Sequence, residues 1–379
     1  MTEACPGCGA AGLELFYEVE RVPVHSCRLV ATREEALSFP TGRLALALCH
    51  ACGLITNAAF EPGLQDYSVD YEETQAFSPR FVEFIEELAR RWVETYGLRG
   101  RRVLEIGSGK GEFLLLLHEL GVAEAIGIDP GFVPGRVDER PGLRFLRELY
   151  SKRHASLEPD AIVCRHTLEH IQPVAELMRL IRSSLDGHEV LLFELPDVLR
   201  VLREGAFWDM YYEHASYFSP GSLARLFRAT GFDVADLELA YDDQYILLAA
   251  RPGASGATLS LEEESGVVAG AVDGFRTAYE ETRERWRERL TAAERPVIWG
   301  AGSKGVAFLT TLGPGLELAV DVNPHKQRKF LAGSGVEVVA PEALRGYGPD
   351  LVVAMNAVYL DEIGQTLSEL GVRTALEAV

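Results

Sequence analysis

The chain has 379 residues, of which 47% are hydrophobic and 25% are charged. It is therefore long enough for two or three domains that each bury a core. Its 37 basic and 57 acidic residues give a formal net charge of −20, which argues against nucleic acid and anionic membranes as main partners.

The N-terminus, MTEACPGCGA, has neither the basic region nor the apolar core of a signal peptide. No stretch approaches the length of a membrane span. We therefore expect a cytoplasmic protein, in which six cysteines indicate metal ligands or free thiols and not disulfides.

Two Cys-x-x-Cys pairs lie near the N-terminus, formed by Cys5, Cys8, Cys49 and Cys52. Each pair can place two thiolates on one tetrahedral ion, and the glycine after each second cysteine permits the turn. The pattern predicts a structural zinc site with a closed coordination shell and no catalysis. His25 and Cys27, between the pairs, are alternative ligands, although a packing or surface role is favoured for them.

A segment rich in tyrosine and acidic residues, from Asp66 to Gln75, precedes a predicted helix. Apolar residues from Phe81 to Trp92 follow i, i+3, i+4, i+7 spacing, and Ser78-Pro79 is typical of an N-cap and a first-turn proline. We expect this helix to pack on the core and the segment before it to cover a cofactor.

The most informative stretch runs from Val103 to Asp129. A short apolar strand leads into a turn with Gly107, Gly109 and Gly111, a helix follows, and a second strand delivers Asp129. Glycines let the backbone approach a ligand closely, and the acid can accept hydrogen bonds from two ribose hydroxyls. The spacing is GxGxG and not the GxGxxG of dinucleotide-binding folds. Together with Glu105, the stretch resembles motif I of class I S-adenosylmethionine-dependent methyltransferases.

Strands and helices continue to alternate beyond Asp129, and the last two predicted strands form an antiparallel pair. The predicted strands are 143–146, 160–164, 189–194, 232–239 and 244–250. This order predicts the α/β fold of class I methyltransferases, a doubly wound sheet. Arg165 and His166 follow a strand at the edge where such sheets bind ligands, so we predict that they line the cofactor site. His166 and His170 have the spacing of a zinc helix, but no third ligand is evident in the sequence.

Beyond a linker at residues 253–256, the sequence predicts a long charged helix and a second α/β unit. This unit contains the GxGxxG turn at residues 300–305 and a downstream acid, Asp321. Taken alone, the turn favours a dinucleotide, but a single match of this kind is weak. We predict three domains, at residues 1–66, 67–252 and 253–379, the last of them Rossmann-like.

The stretch from Phe207 to Ser219 is too polar for a core. It contains Tyr211, Glu213 and His214, and the histidine can act as a base near neutral pH, oriented by Glu213 or a tyrosine. The alternative is an aromatic core with incidental polar tips.

The pattern F-x-D-x-Y-x-E-H-x-S-Y-F-S resembles the catalytic stretch of the sugar C-methyltransferases, which act on nucleotide-linked keto-deoxysugars. By position, this resemblance assigns the active site to Tyr211, Glu213 and His214, with His214 as base. It extends over nearly the whole chain and implies an N-terminal zinc domain and a C-terminal Rossmann-like domain that helps hold the sugar nucleotide. That third domain is not known to need a nicotinamide.

Two positions depart from the family pattern. Tyr212 stands where the family has the first histidine of Tyr-His-Glu-His. Glu73 replaces an aromatic residue in the substrate loop, where Tyr71 and Ser78 conform to the pattern and Tyr71 is a further catalytic candidate. An added carboxylate fits poorly with an identical anionic substrate.

The sequence therefore predicts an enzyme that uses S-adenosylmethionine and carries zinc. The predicted reaction is methylation of a carbon next to a carbonyl, in a nucleotide-linked keto-sugar or a related small molecule. O-methylation of a small-molecule hydroxyl and a non-catalytic nucleotide-binding protein are the alternatives. A monomer and a dimer are both compatible with the sequence.

Overall fold

The computed structural model of the protein describes residues 4–65, 70–138, 140–254, 256–313 and 315–379. The predicted domain boundary at residues 66 and 67 lies outside these described residues. The predicted linker at 253–256 is described except for residue 255.

The first half of the described chain contains β1 (Glu14–Pro23), α1 (Arg33–Leu37), β2 (Thr41–Leu48), β3 (Ile55–Asn57), α2 (Pro79–Thr95), β4 (Arg102–Ile106), α3 (Glu112–Glu119), β5 (Glu124–Ile128), β6 (Leu143–Leu146), β7 (Ala161–Arg165), α4 (Val174–Arg182) and β8 (Val190–Pro196). The second half contains α5 (Val198–Glu204), β9 (Ser216–Tyr217), α6 (Pro220–Ala229), β10 (Phe232–Ala240), β11 (Tyr245–Pro252), α7 (Ser265–Ala292), β12 (Pro296–Trp299), α8 (Ser303–Leu312), β13 (Leu318–Val320), β14 (Glu337–Val339), α9 (Leu344–Tyr347), β15 (Leu351–Ala354), α10 (Leu360–Leu370) and β16 (Ala375–Ala378).

The central sheet has the order β10-β11-β8-β7-β4-β5-β6. Its strands β8, β7, β4, β5 and β6 are parallel, and β11 runs antiparallel to β8. Successive residues of β4 face opposite sides: Val103 packs with the cluster that contains α2 and α3, and Leu104 with the cluster that contains α4. A parallel doubly wound sheet closed by an antiparallel hairpin is the predicted class I methyltransferase fold, which is confirmed.

The helix before this sheet begins where the sequence indicates. Ser78 Oγ accepts a hydrogen bond from the Phe81 amide, and Pro79 occupies the first turn. The side chains of Phe81, Ile85 and Trp92 are buried. The N-cap satisfies an amide that has no partner within the helix, so the start of α2 is set locally.

The N-terminal sheet is antiparallel, with the order β1-β2-β3-β9. Its last strand is not N-terminal in sequence, because β9 begins two residues after His214. Ile55 pairs with Tyr217, and Thr56 pairs with Ser216. The N-terminal part of the chain is thus joined by strand pairing to the candidate catalytic stretch.

The C-terminal sheet is parallel, with the order β14-β13-β12-β15-β16. The long charged helix predicted before it is α7, whose Phe275 and Trp286 are buried. Phe275 packs edge-on against Tyr17 of β1, and Trp286 packs edge-on against Phe308 of α8. Helix α7 therefore packs between the N-terminal and C-terminal sheets. No helix in the described part of the chain is both long and apolar enough to span a bilayer.

Candidate active site

A cavity of about 710 Å³ lies between the central and C-terminal sheets. Its lining includes residues at or just beyond the carboxyl ends of strands in both sheets, namely Gly107, Asp129, Arg165, Gly300, Asp321 and Met355. The segment at 71–78 and the stretch with Tyr211 and His214 complete the wall. Carboxyl edges of parallel sheets are where α/β folds bind ligands, so this cavity is the candidate active site.

The glycine turn after β4 has a conformation that requires glycine. Gly107 and Gly111 have φ angles of +73° and +92°. A Cβ atom at Gly107 would lie 1.9 Å from Thr167 Oγ1, which leaves no room for a side chain. The turn thus presents bare backbone to the cavity, as a closely bound cofactor requires.

Asp129 lies directly after β5 and faces this turn. Its Oδ2 accepts a hydrogen bond from the Gly109 amide at 2.8 Å, and its Oδ1 accepts one from the Gly131 amide at 2.7 Å. Burial raises the pKa of Asp129. Each carboxylate oxygen keeps capacity to accept a further hydrogen bond, such as the predicted one from a ribose hydroxyl.

Glu105, at the end of β4, is almost fully buried and also lines the cavity. Burial raises the pKa of its carboxyl to about 8. Its Oε2 is buried without a hydrogen-bond partner among the described residues. A carboxyl group in this state can accept a hydrogen bond from a ligand at the glycine turn.

Arg165, the last residue of β7, and His166, directly after it, share one buried carboxylate. Arg165 contacts Glu194 at 2.7 and 3.2 Å, and His166 Nε2 lies 2.9 Å from Glu194 Oε1. Although burial opposes both charges, these contacts lower the pKa of Glu194 to about 2, and Glu169 and Glu194 raise that of His166 to about 9. Both side chains line the cavity as predicted, in an orientation set by Glu194.

His214 is buried and lines the cavity from the stretch that precedes β9. Its ring centroid lies 4.2 Å from that of Tyr211 and 4.9 Å from that of His170. Burial lowers the pKa of His214 well below its ordinary value, and His170 and His166 act in the same direction. The imidazole is therefore neutral at neutral pH and able to accept a proton. Burial raises the pKa of Tyr211, so that hydroxyl stays protonated and can donate.

Glu213 does not line the cavity. Its Oε2 accepts a hydrogen bond from the Ser26 amide at 2.9 Å, and its Oε1 lies 3.2 Å from His25 Nδ1. Glu213 and a tyrosine are the two groups predicted to orient His214. Tyr211 packs against the His214 ring, whereas the Glu213 carboxylate binds the N-terminal part of the chain. His25, considered as a metal ligand, is engaged by this carboxylate.

The segment at 71–78 covers the glycine turn, as expected from the sequence. Lys110 Nζ donates to the carbonyl of Tyr71 at 2.6 Å, and Lys110 lies 3.5 Å from the Glu73 carboxylate. Glu72 pairs with Arg136 and accepts a hydrogen bond from Asn323 of the C-terminal part at 2.9 Å. The segment is thus held by both halves of the cavity.

The C-terminal unit repeats the arrangement of turn and acid. Asp321 follows β13 and accepts hydrogen bonds from the amides of Ala301 and Asn323, both at 2.9 Å. Lys326 Nζ lies 3.2 Å from its Oδ2, a contact that Asp129 lacks among the described residues. Lys304, in the GxGxxG turn, pairs with Asp209 at 2.9 Å. The cations of this wall are therefore neutralised by carboxylates of the same cavity.

The four cysteines predicted to bind zinc come together. Their sulfur atoms lie within 4.8 Å of one another, and the Cys5–Cys52 and Cys8–Cys49 distances are both 3.6 Å. Four sulfurs around a tetrahedral zinc ion, with Zn–S bonds of about 2.3 Å, are separated by about 3.8 Å. Gly9 and Gly53, after the second cysteines, have positive φ angles, as the predicted turns require. The donor set fits a structural ion.

The chain is similar in sequence to known methyltransferases. Residues 79–237 match the model of a methyltransferase domain, and residues 256–375 match that of a C-methyltransferase C-terminal domain. The C-methyltransferase NovU from Streptomyces niveus is 28% identical over 347 residues, which cover 84% of this chain and 81% of that protein. These matches support a C-methyltransferase family for the chain. It is an S-adenosylmethionine-dependent enzyme, so silent nucleotide binding is not its role.

Two solved methyltransferases each match less than half of this chain. Magnesium protoporphyrin IX methyltransferase from Synechocystis PCC 6803, with bound SAH, is 17% identical and covers 46% of this chain and 84% of its own, with a TM-score of 0.37. An S-adenosylmethionine-dependent methyltransferase from Mesorhizobium loti is 15% identical and covers 44% of this chain and 99% of its own, with a TM-score of 0.34.

In this C-methyltransferase, the departure at Tyr212 lies outside the cavity. Tyr212 is fully buried, its hydroxyl accepts a hydrogen bond from the Glu61 amide at 2.9 Å, and its ring stacks on Phe60. The side chain packs into the N-terminal part, while its neighbour Tyr211 faces the cavity. The departure therefore does not alter the cavity wall.

Two residues of the C-methyltransferase cavity were missed by sequence reasoning about the base. Glu169 and His170 lie with His214 in a group whose donor atoms are within 4.8 Å of one another. His170 Nδ1 donates to the carbonyl of Glu213 at 3.1 Å, and both Glu169 oxygens are buried without a hydrogen-bond partner among the described residues. Their position just after Arg165 and His166, at a strand's carboxyl end, was the available signal.

Proposed function

We propose that this C-methyltransferase methylates the carbon next to a carbonyl group of a keto-sugar or a related small molecule, with His214 as the general base. The observation that carries the proposal is the position of His214, a buried imidazole with lowered pKa in the same cavity as the glycine turn and Asp129. A neutral imidazole is the form of histidine that can take a proton from carbon.

S-adenosylmethionine supplies an electrophilic methyl group on a sulfonium. His214 takes the acidic C–H proton, and the C–H electrons form the enolate. The enolate carbon forms a C–C bond to the methyl group as the S–CH₃ bond breaks and its electron pair remains on sulfur. Tyr211, kept protonated by burial, is placed to donate a hydrogen bond to the enolate oxygen. The Glu169 carboxylate, within 4.8 Å of the imidazole nitrogen, offsets the positive charge that His214 acquires.

The acceptor is proposed to be a keto-sugar, and a nucleotide-linked one is compatible with the cavity. The C-terminal wall offers polar groups in Lys304, Asn323 and Lys326, which can bind hydroxyl or phosphate oxygens. The resemblance of the catalytic stretch to sugar C-methyltransferases supports this acceptor class. O-methylation is the second candidate within the same site, because His214 could equally deprotonate a hydroxyl.

A structural zinc ion held by Cys5, Cys8, Cys49 and Cys52 is part of the proposal. The sulfur distances support it, since they match tetrahedral coordination. With four thiolates the coordination shell is complete, and no catalytic step is assigned to the ion.

An acceptor screen with isotope-labelled S-adenosylmethionine, read by mass spectrometry, identifies the substrate. On that substrate, His214→Gln should lower methyl transfer by roughly 10²–10⁴-fold with cofactor affinity nearly intact, because a positioned base contributes about that factor. His188→Gln, at an exposed histidine, is the control. Near-wild-type turnover of His214→Gln would show that this histidine is structural.

Solvent exchange separates carbon from oxygen methylation. Without cofactor, the acceptor should exchange its carbon-bound proton for deuterium in the wild-type enzyme and not in His214→Gln. An alcohol acceptor would become methylated without this carbon-bound label, which would favour O-methylation.

A further inference from the structure

Glu73 projects from the segment that covers the glycine turn and contacts the turn itself. A Cβ atom at Gly109 would lie 2.7 Å from Glu73 Oε1. The second oxygen, Oε2, is buried and has no hydrogen-bond partner among the described residues. The carboxylate is therefore fixed over the cofactor turn with acceptor capacity left for a ligand.

The negative charges around Glu73 favour the binding of a cation next to its carboxylate. Lys110 Nζ lies 3.5 Å from Oε2 but is shared with two carbonyl oxygens, those of Tyr71 at 2.6 Å and Gly131 at 3.3 Å. Asp129, directly after β5, and Glu112, at the start of α3, add negative charge, and Cys27 lies near Glu73 in the N-terminal part. A further cation, Arg136, is paired with Glu72 at 2.9 Å.

The cofactor brings such a positive charge to this position. Asp129, the expected partner of the ribose hydroxyls, is bonded to the Gly109 amide. The sulfonium of S-adenosylmethionine is joined to that ribose through a single methylene group. We propose that Glu73 recognises the sulfonium charge, so that the enzyme prefers S-adenosylmethionine to its product S-adenosylhomocysteine. This inference rests on the cofactor and is independent of the acceptor and of His214.

The proposed contact would also aid turnover. On methyl transfer, the S–CH₃ bond breaks, its electron pair remains on sulfur, and the sulfonium becomes a neutral thioether. Glu73 then loses its ionic partner, while the hydrogen bonds of Asp129 to the ribose are unchanged. Product binding is thereby weakened relative to cofactor binding.

Calorimetric titration of the metal-loaded enzyme with S-adenosylmethionine, S-adenosylhomocysteine and sinefungin tests the inference. Sinefungin carries a protonated amine in place of the sulfonium methyl. Glu73→Gln should weaken the affinity for the two cationic ligands by at least about fivefold, because a nearby carboxylate–cation pair is worth at least that factor. The affinity for S-adenosylhomocysteine should stay within about twofold of the wild-type value. Glu87→Gln, which removes an exposed carboxylate of α2 outside the cavity, should change none of the three affinities.

The pH dependence gives a second readout. Burial raises the pKa of Glu73 to about 7. A bound cation favours the ionised carboxylate, so the wild-type preference for S-adenosylmethionine should rise from about pH 6 to about pH 8 and stay constant in Glu73→Gln. Equal weakening of all three ligands, unchanged affinities, tighter binding by the variant, or a pH-dependent preference in Glu73→Gln would each overturn the inference. S-adenosylhomocysteine binding shows that the variant is folded.

Discussion

Asp129 shows how a single side chain is prepared for a ligand before the ligand binds. Two backbone amides, from Gly109 and Gly131, orient its carboxylate toward the glycine turn. The orientation needs no rearrangement on binding, so little conformational entropy is lost when ribose hydroxyls arrive. Asp321 has the same backbone arrangement in the C-terminal unit, but Lys326 occupies part of its acceptor capacity.

This difference predicts unequal effects of two matched substitutions. Asp129→Asn should weaken S-adenosylmethionine binding by roughly 1.5–3 kcal/mol for each charged hydrogen bond lost. Asp321→Asn, which makes the same change in the other half of the cavity, should leave that affinity nearly unchanged. Calorimetry on both variants is the measurement, and an equal loss in the two would contradict the assignment of the cofactor to the GxGxG turn.

At the scale of elements, the loop after β7 depends on one buried carboxylate. Glu194 of β8 contacts both Arg165 and His166, and His166 adopts a φ angle of +46° that few side chains accept. Loops at the carboxyl edge of a sheet are normally mobile, because little holds them. Here the ion pairs hold the loop against the cavity, so its geometry depends on protonation.

The pKa shifts predict how this loop responds to pH. Although burial opposes its charge, Glu169 and Glu194 raise the pKa of His166 from its ordinary value to about 9. The stability that the charged form of His166 contributes is therefore fully present below about pH 6.5 and is lost as the pH rises through about 9. His166→Asn removes the titrating group and keeps a residue that tolerates positive φ.

Melting temperatures of the two proteins should therefore converge as the pH rises. The wild type should melt higher than His166→Asn near pH 6.5, and the difference should shrink between about pH 6.5 and about pH 9. A difference that stays constant between about pH 7 and about pH 10 would show that the charge on His166 does not stabilise the fold.

At the scale of the whole molecule, the cysteine cluster and the candidate base are connected by one strand. Strand β3 begins three residues after Cys52 and pairs with β9, directly after His214 and Ala215. The Thr56 hydroxyl and the Asn57 amide both donate to the carbonyl of Ala215, at 2.8 and 3.0 Å. The N-terminal sheet therefore holds the candidate catalytic stretch in place.

This connection predicts that the metal matters for both stability and turnover. Protein purified without chelator should contain one zinc per chain, and chelation should lower the melting temperature and the methyl-transfer rate, because the binding energy of such a site is folding energy. Cys49→Ser should lose the metal by elemental analysis. Cys27→Ser should retain it, because Cys27 lies 3.3 Å from Ser303 Oγ in the cavity wall. Substantially less than one equivalent of zinc in the wild type would contradict this prediction.

The sequence alone determined the features that arise from neighbours in the chain. The paired cysteine turns, the N-cap at Ser78, the glycine turn with Asp129 and the alternation of strands and helices all follow from local spacing and backbone preferences. The order of these elements was sufficient to predict the central fold, because few topologies bury parallel strands joined by helices.

Only the tertiary structure decided which distant side chains meet. In the folded protein, Glu169 and His170 lie beside His214, Glu213 contacts His25, and Tyr212 points away from the cavity. These contacts join residues far apart in the chain and depend on how three sheets pack together. No local pattern encodes that packing, so the glycine turn could be predicted from the sequence, whereas the surroundings of the base could not.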